Sequence, residues 1–203
     1  MSNKLPAAKK HLVFKNITMS PLTANRWNDF EDLFGDRGAC GGCWCMYWRL
    51  QRTEFEQGKG TGNKKRMNKM VKRGEVPGLL LYADKEVAGW CAVAPRENYL
   101  VLANSRILKP VDEEPVWSIV CFFIDKNFRR LGLTEIFLRY VVEYCRKQGA
   151  QIVEGYPVDV KDQSNYPSVF AFTGIASAYL KAGFKEVARR SETRPVMRFF
   201  IEK

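Results

Sequence analysis

The 203-residue chain predicts a mixed α/β fold, a partly antiparallel central sheet flanked by helices. Three observations predict it. Residues 117–149 read as a buried strand, a basic glycine-containing turn and an amphipathic helix. Two apolar runs, 76–82 and 87–93, flank Ala83-Asp84-Lys85-Glu86 as the arms of a hairpin. Along the chain the elements alternate as strand, one or two helices, hairpin, strand, helix, strand, helix and strands, an order that gives a layered α/β sheet.

Taken in order, residues 1–10 read as a loose tail, and the remainder as one domain. Within it, 11–75 form a variable part and 76–203 a core. A first strand is expected over 11–19. Ser20-Pro21 then marks a helix start, with Trp27, Phe30, Leu33 and Phe34 as the apolar face and Gly35 as the stop. The segment Cys40-Gly41-Gly42-Cys43-Trp44-Cys45-Met46-Tyr47-Trp48 concentrates thiols, glycines and aromatic rings. It admits a metal site, a redox pair or a wall packed against the core. One C-x-x-C-x-C without a second cluster falls short of the four ligands of structural zinc, which favours the wall and predicts no metal. Residues 51–63, with Gly58, Gly60 and Gly62, read as a mobile loop, and Asn63 as the cap of a basic helix reaching Arg73. After the hairpin, 94–115 are irregular, with a short helix around 99–105.

The run 117–124 is apolar without alternation, as a strand buried on both faces requires. Leu133, Ile136, Phe137, Tyr140, Val141, Tyr144 and Cys145 give the next helix its stripe, and Gly149 sits where a left-handed cap belongs. The strand 152–157 is parallel to its predecessor by the right-handed crossover rule. A loop over 159–167, a helix over 168–182 and strands over 184–187 and 196–201 complete the chain.

Composition bounds the function. The net charge of +11 comes from residues 49–73, at +7, and from the first 20 residues, at +4. Such a basic stretch binds a phosphate or an acidic substrate, or is a solvated face. It lacks a nucleic-acid-binding motif and interleaved aromatics, so nucleic acid is not the expected partner. No apolar run approaches the roughly 18 residues of a membrane span, and the first residues lack a signal-peptide core. The expectation is a cytoplasmic protein without disulfides, with Cys91, Cys121 and Cys145 in the core. The single histidine, His11, leaves no room for a catalytic Ser–His or Cys–His pair in the body of the fold. Oligomeric state is open, a homodimer included.

The turn after residue 124 has a chemical use. The first amides of a helix have no intrahelical acceptor, and the helix dipole favours an anion there. Gly132 allows close approach, and Arg129 and Arg130 add charge. Local chemistry allows either a pyrophosphate site or a tight turn with two solvated arginines.

Arg129-x-x-Gly132-x-Thr134 resembles the Gln/Arg-x-x-Gly-x-Gly/Ala loop of the GCN5-related N-acetyltransferases. Tyr179-Leu180-Lys181-Ala182-Gly183-Phe184, about 50 residues downstream, resembles the same family's Tyr-x-x-x-Gly-Phe. The resemblance covers residues 76–200, with Thr134 and Thr173 departing from the family's Gly/Ala and Asn. It implies acetyl-coenzyme A as co-substrate and a small primary amine as acceptor. By register, the pantetheine contacts fall on Phe122 and Ile124. The diphosphate contacts fall on Arg129, Arg130, Gly132, Leu133 and Thr134. Tyr179 matches the acid that protonates the leaving thiolate. Glu154, a carboxylate in an apolar strand beside the cofactor gap, is the expected base, with Glu97, Glu113, Asp125 or a water chain as alternatives. The resemblance also implies that the 40–48 segment lines the substrate pocket. A non-catalytic acyl-coenzyme A sensor is the competing reading.

Overall fold

The computed structural model describes residues 14–160 and 171–202. The tail, the expected start of the first strand, most of the 159–167 loop and residues 168–170 therefore lie outside the described residues. The sheet has seven strands: β1 (Ile17–Pro21), β2 (Gly78–Ala83), β3 (Glu86–Pro95), β4 (Trp117–Ile124), β5 (Ile152–Gly155), β6 (Lys185–Arg189) and β7 (Pro195–Phe200), in the order β1-β2-β3-β4-β5-β7-β6. Every pair is antiparallel except β4–β5, which is parallel. The hairpin joining β2 to β3 turns at Asp84 and Lys85, both at positive φ (49° and 78°), the twist that suits a two-residue connection.

Helices cover both faces. Against one lie α1 (Trp27–Phe34), α2 (Arg52–Gln57), α3 (Thr61–Lys72) and α4 (Leu100–Ala103). Phe30, Trp44, Leu80, Trp90, Val120 and Tyr156 form the core there, and the Phe30 and Trp90 rings meet edge-on at 4.7 Å. Against the other lie α5 (Leu133–Lys147) and α6 (Ala176–Lys181), over Leu79, Leu81, Val93, Ile119 and Val153.

The first strand is displaced toward the C-terminus of its expected range. Pro21 is its last residue, paired with Leu79, so the helix starts later, at Trp27. An outermost strand tolerates the missing N–H of proline. Residues 51–63 are not a loop. Phe55 is buried edge-on against Tyr47 at 5.4 Å and draws Arg52–Gln57 into α2. Gly60, at φ 78°, takes the cap position of α3, and Asn63 lies inside the first turn. There its amide nitrogen donates to Gly42 O (3.4 Å) and Phe55 O (3.3 Å), tying α3 to the cysteine-rich segment. The stripe of α5 is rotated from its expected setting. Leu138 and Val142 are buried, whereas Tyr140 reaches outward to donate to Ile17 O at 3.0 Å. The last helix is short because Ile175 is extended and bridges to Val158, which delays α6 to Ala176.

Candidate functional site

The site begins with a defect in β4. Ala92 pairs with Cys121 and Val93 with Ile119, so Val120 is an extra residue, a bulge. Bulges bend the strand that carries them. Pairing with β5 stops at the same place: Trp117, Ser118 and Ile119 face Val153, Glu154 and Gly155, and Val120–Ile124 have no β5 partner. The parallel strands therefore part, and Phe122 and Ile124 stand on the open edge of β4. The amide of Phe122 donates to Phe172 O at 2.5 Å, and the carbonyl of Ile124 accepts from Arg129 Nε at 2.8 Å.

Beyond the gap the chain turns into α5. Asp125 accepts from the amide of Asn127 (2.9 Å), which tightens the exit from β4. Arg130 lies at φ 63° and Gly132 in the left-handed region at φ 76°. A Cβ on Gly132 would meet only open space, so the glycine is required by its backbone angle and not by crowding. Leu133 and Thr134 open the helix with amides that have no intrahelical acceptor. With Arg129 and Arg130 at the surface beside them, this corner fits an anionic phosphate.

Tyr179 lies where β4 and β5 separate. Its ring contacts Phe122 and Phe184 edge-on, and its hydroxyl donates to Thr173 O at 3.2 Å. Burial pushes the phenol well above its ordinary value of 10, so it keeps its proton. Thr173 is also buried and accepts from Arg194 Nη1 (2.8 Å) through its own hydroxyl.

Glu154 is on the opposite face and is not an open base. One carboxylate oxygen accepts from Tyr156 Oη (2.6 Å) and Arg96 Nη1 (3.1 Å), the other from Arg198 Nε (2.7 Å). Arg198 continues to both oxygens of Asp112 (2.6 and 2.9 Å), and Tyr156 reaches Ser118 Oγ (2.8 Å). Sequence reasoning missed Arg96, Asp112, Tyr156 and Arg198, because the pairs lie up to 86 residues apart. Of the alternatives to Glu154, Glu97 and Glu113 are exposed and Asp125 caps a turn.

The cysteine-rich segment forms a wall on the α1–α4 side. The Cys45 sulfur is buried and accepts from Trp90 Nε1 at 3.1 Å. Cys121, beside the bulge, packs into the same core, and its thiol lowers the Cys45 pKa. Burial pushes Cys43 up to about 11 and Cys145 up to about 12. Trp44 and Cys45 are held at positive φ (43° and 56°), so this segment carries backbone strain. Farther out, Met46, Arg49, Arg66, Lys69 and Arg73 line a cavity of about 430 Å³.

No curated protein matches the chain in sequence. Solved structures match its fold. An acetyltransferase of the GNAT family from Streptococcus agalactiae is 15% identical, with a TM-score of 0.55, covering 95% of this chain and 99% of that one. The ribosomal-protein-S5-alanine acetyltransferase of Vibrio fischeri is 11% identical, with a TM-score of 0.52, covering 93% and 95%. The PaiA N-acetyltransferase of Thermoplasma acidophilum, solved with coenzyme A, is 14% identical, with a TM-score of 0.50, covering 92% and 99%. The pattern of the Acetyltransferase (GNAT) family matches residues 44–172, well over half the chain, and takes in the Trp44–Trp48 end of the cysteine-rich wall as well as β4 and α5. The bulged, parting strands and the glycine turn thus lie within a matched family region, and the chain belongs to the GNAT family of acetyltransferases.

Proposed function

We propose that the protein is an acetyl-coenzyme A-dependent N-acetyltransferase that acetylates the primary amine of a small acceptor. The parting of β4 from β5 at the Val120 bulge, directly before the basic turn, is the observation that carries the reading. Acetyl-coenzyme A, when bound, supplies a thioester carbonyl open to direct attack by an amine. The chain's own groups do the rest. The amides of Gly132, Leu133 and Thr134, with Arg129 and Arg130, hold the diphosphate. Phe122 and Ile124 present strand backbone to the pantetheine arm, which pairs as an added strand in place of the Phe172 carbonyl and the Arg129 side chain that now take the Phe122 amide and the Ile124 carbonyl. The Tyr179 phenol retains a proton to give to the leaving thiolate. Glu154, locked between two guanidinium groups, positions β5 and Tyr156 and does not abstract the proton. Six unpaired cysteines support a reducing, cytoplasmic site of action.

The engagement of Glu154 favours one second reading, a sensor that binds acyl-coenzyme A without turnover. Free-thiol release from acetyl-coenzyme A across a panel of amines separates the two. The enzyme releases thiol with some amines, whereas the sensor binds coenzyme A calorimetrically and releases none. Tyr179→Phe is expected to lower kcat at least tenfold and to leave coenzyme A affinity unchanged. An unaltered kcat removes Tyr179 from the chemistry.

A further inference from the structure

We propose that the acceptor amine also carries an anionic oxygen group, a carboxylate or a phosphate, and that Arg49, Lys69 and Arg73 receive it. This deepens the acetyltransferase reading and rests on it. Three observations converge. The cavity of about 430 Å³ on the α3 side is lined by four cations, Arg49, Arg66, Lys69 and Arg73, against a single acid, Glu75. Arg49 of its wall and the adjacent Trp48 each hold a buried nitrogen, Nε and Nε1, with no acceptor among the described residues. The Trp48 side chain is more than nine-tenths buried, so water does not readily satisfy it. Unmade bonds of this kind are costly, and they persist where an acceptor arrives from outside.

The wall also connects the cavity to the gap. Trp48 packs on Phe172, whose carbonyl takes the Phe122 amide on the open edge of β4. Cys45, three residues earlier in the same segment, lies against Cys121 at the bulge. One short segment therefore touches the parting strands at one end and the cationic cavity at the other. Arg49 is held in place at that cavity by two contacts. Its guanidinium lies over the Tyr99 ring at 4.7 Å, and Nη2 donates to Pro77 O at 3.3 Å.

The charge has a chemical consequence. An alkylammonium without a counter-charge is repelled from this cavity, whereas an amine bearing an anion is held there. The same positive field disfavours the ammonium form and raises the share of free amine. That supplies a nucleophile where no carboxylate of the Glu154 network is open to take its proton.

The test uses matched probes on the full-length protein: L-phenylalanine against phenethylamine, and O-phosphoethanolamine against ethanolamine. The Trp48 indole N–H resonance, assigned through Trp48→Phe, reports binding by heteronuclear NMR without turnover. The acidic member of at least one pair is expected to shift that resonance saturably, and its amine-only partner is not. Which pair responds identifies carboxylate or phosphate. Arg49→Met is expected to weaken the response at least tenfold, and Lys69→Ala, on the exposed side of α3, to weaken it several-fold if Arg49→Met does not fold. Equal shifts from both members of each pair, or an anion response untouched by the folded variants, overturns the proposal. Coenzyme A binding is measured in parallel by calorimetry. Its absence removes the acetyltransferase reading, whereas intact coenzyme A binding with no preference for anionic amines removes only this one.

Discussion

Gly155 and Tyr179 work as a pair. A Cβ built on Gly155 would lie 2.2 Å from the Tyr179 ring, a distance no side chain tolerates. The glycine is therefore the space into which the phenol ring fits, at the last residue of β5 to pair with β4. Gly155→Ala is expected to destabilise the protein by about 1–3 kcal/mol, the usual cost of overpacking, measured by urea unfolding. It should also displace Tyr179 and reduce turnover, whereas Tyr179→Phe keeps the ring and loses only one hydrogen bond, about 1 kcal/mol. Because burial raises the phenol's pKa, Tyr179 stays protonated across the range in which the protein is handled. An alkaline limb of the rate profile below pH 10 must then come from another group. The local sequence showed Tyr179 through its Gly-Phe register, but the role of Gly155 could not be seen there, since it depends on a ring 24 positions away.

Among the elements, the β4–turn–α5 unit was the most legible, and for a plain reason. A buried strand, an αL glycine and a helical stripe are all set by neighbours within a few residues. Even so, the stripe of α5 was rotated, because Tyr140 and Tyr144 combine a large ring with a polar tip and sit at the margin of the buried face. The short α2 was illegible: its helical state depends on burying the single ring of Phe55 against Tyr47, and its composition is that of a loop. At this scale the turn itself can be tested. Gly132→Ala must hold an alanine at φ 76°, a conformational cost of about 1–2 kcal/mol, in a position free of steric contact. Coenzyme A affinity is expected to fall about tenfold by calorimetry, with little change in the acceptor KM. A larger loss of overall stability than of affinity would mean that the turn serves the fold and not the ligand.

Across the whole molecule, charged groups far apart in sequence fasten the layers. Arg96 holds the carbonyls of Leu102 (3.3 Å) and Leu108 (2.5 Å) and joins them to Glu154. Arg198 joins Glu154 to Asp112. This network pins the irregular stretch between β3 and β4 onto β5 and β7. No periodicity or motif announces such a network: Glu154 stood out as a carboxylate in an apolar strand, while its partners Arg96, Asp112 and Arg198 had no signal of their own. Arg198→Met leaves the buried Glu154 carboxylate with one guanidinium in place of two, and the expected loss is about 3–5 kcal/mol in chemical unfolding. The pH dependence has a definite sign. The Arg198 guanidinium holds the Asp112 carboxyl below its ordinary 3.8, so the folded state binds its proton less readily than the unfolded chain. The stabilisation is complete above pH 3.8 and disappears as the pH falls through the lower folded value. Asp112→Asn should therefore lower Tm at neutral pH and flatten its decline on acidification.

The three residue pairs that join β4 to β5 have a further consequence for how the molecule comes together. Strands β1 to β4 lie side by side in chain order, with only the β2–β3 hairpin closing over a short range, and β5, β7 and β6 make a second leaf. The protein is bound like a book along a brief spine, and within the sheet only Trp117, Ser118 and Ile119 of β4 are stitched to the facing cover.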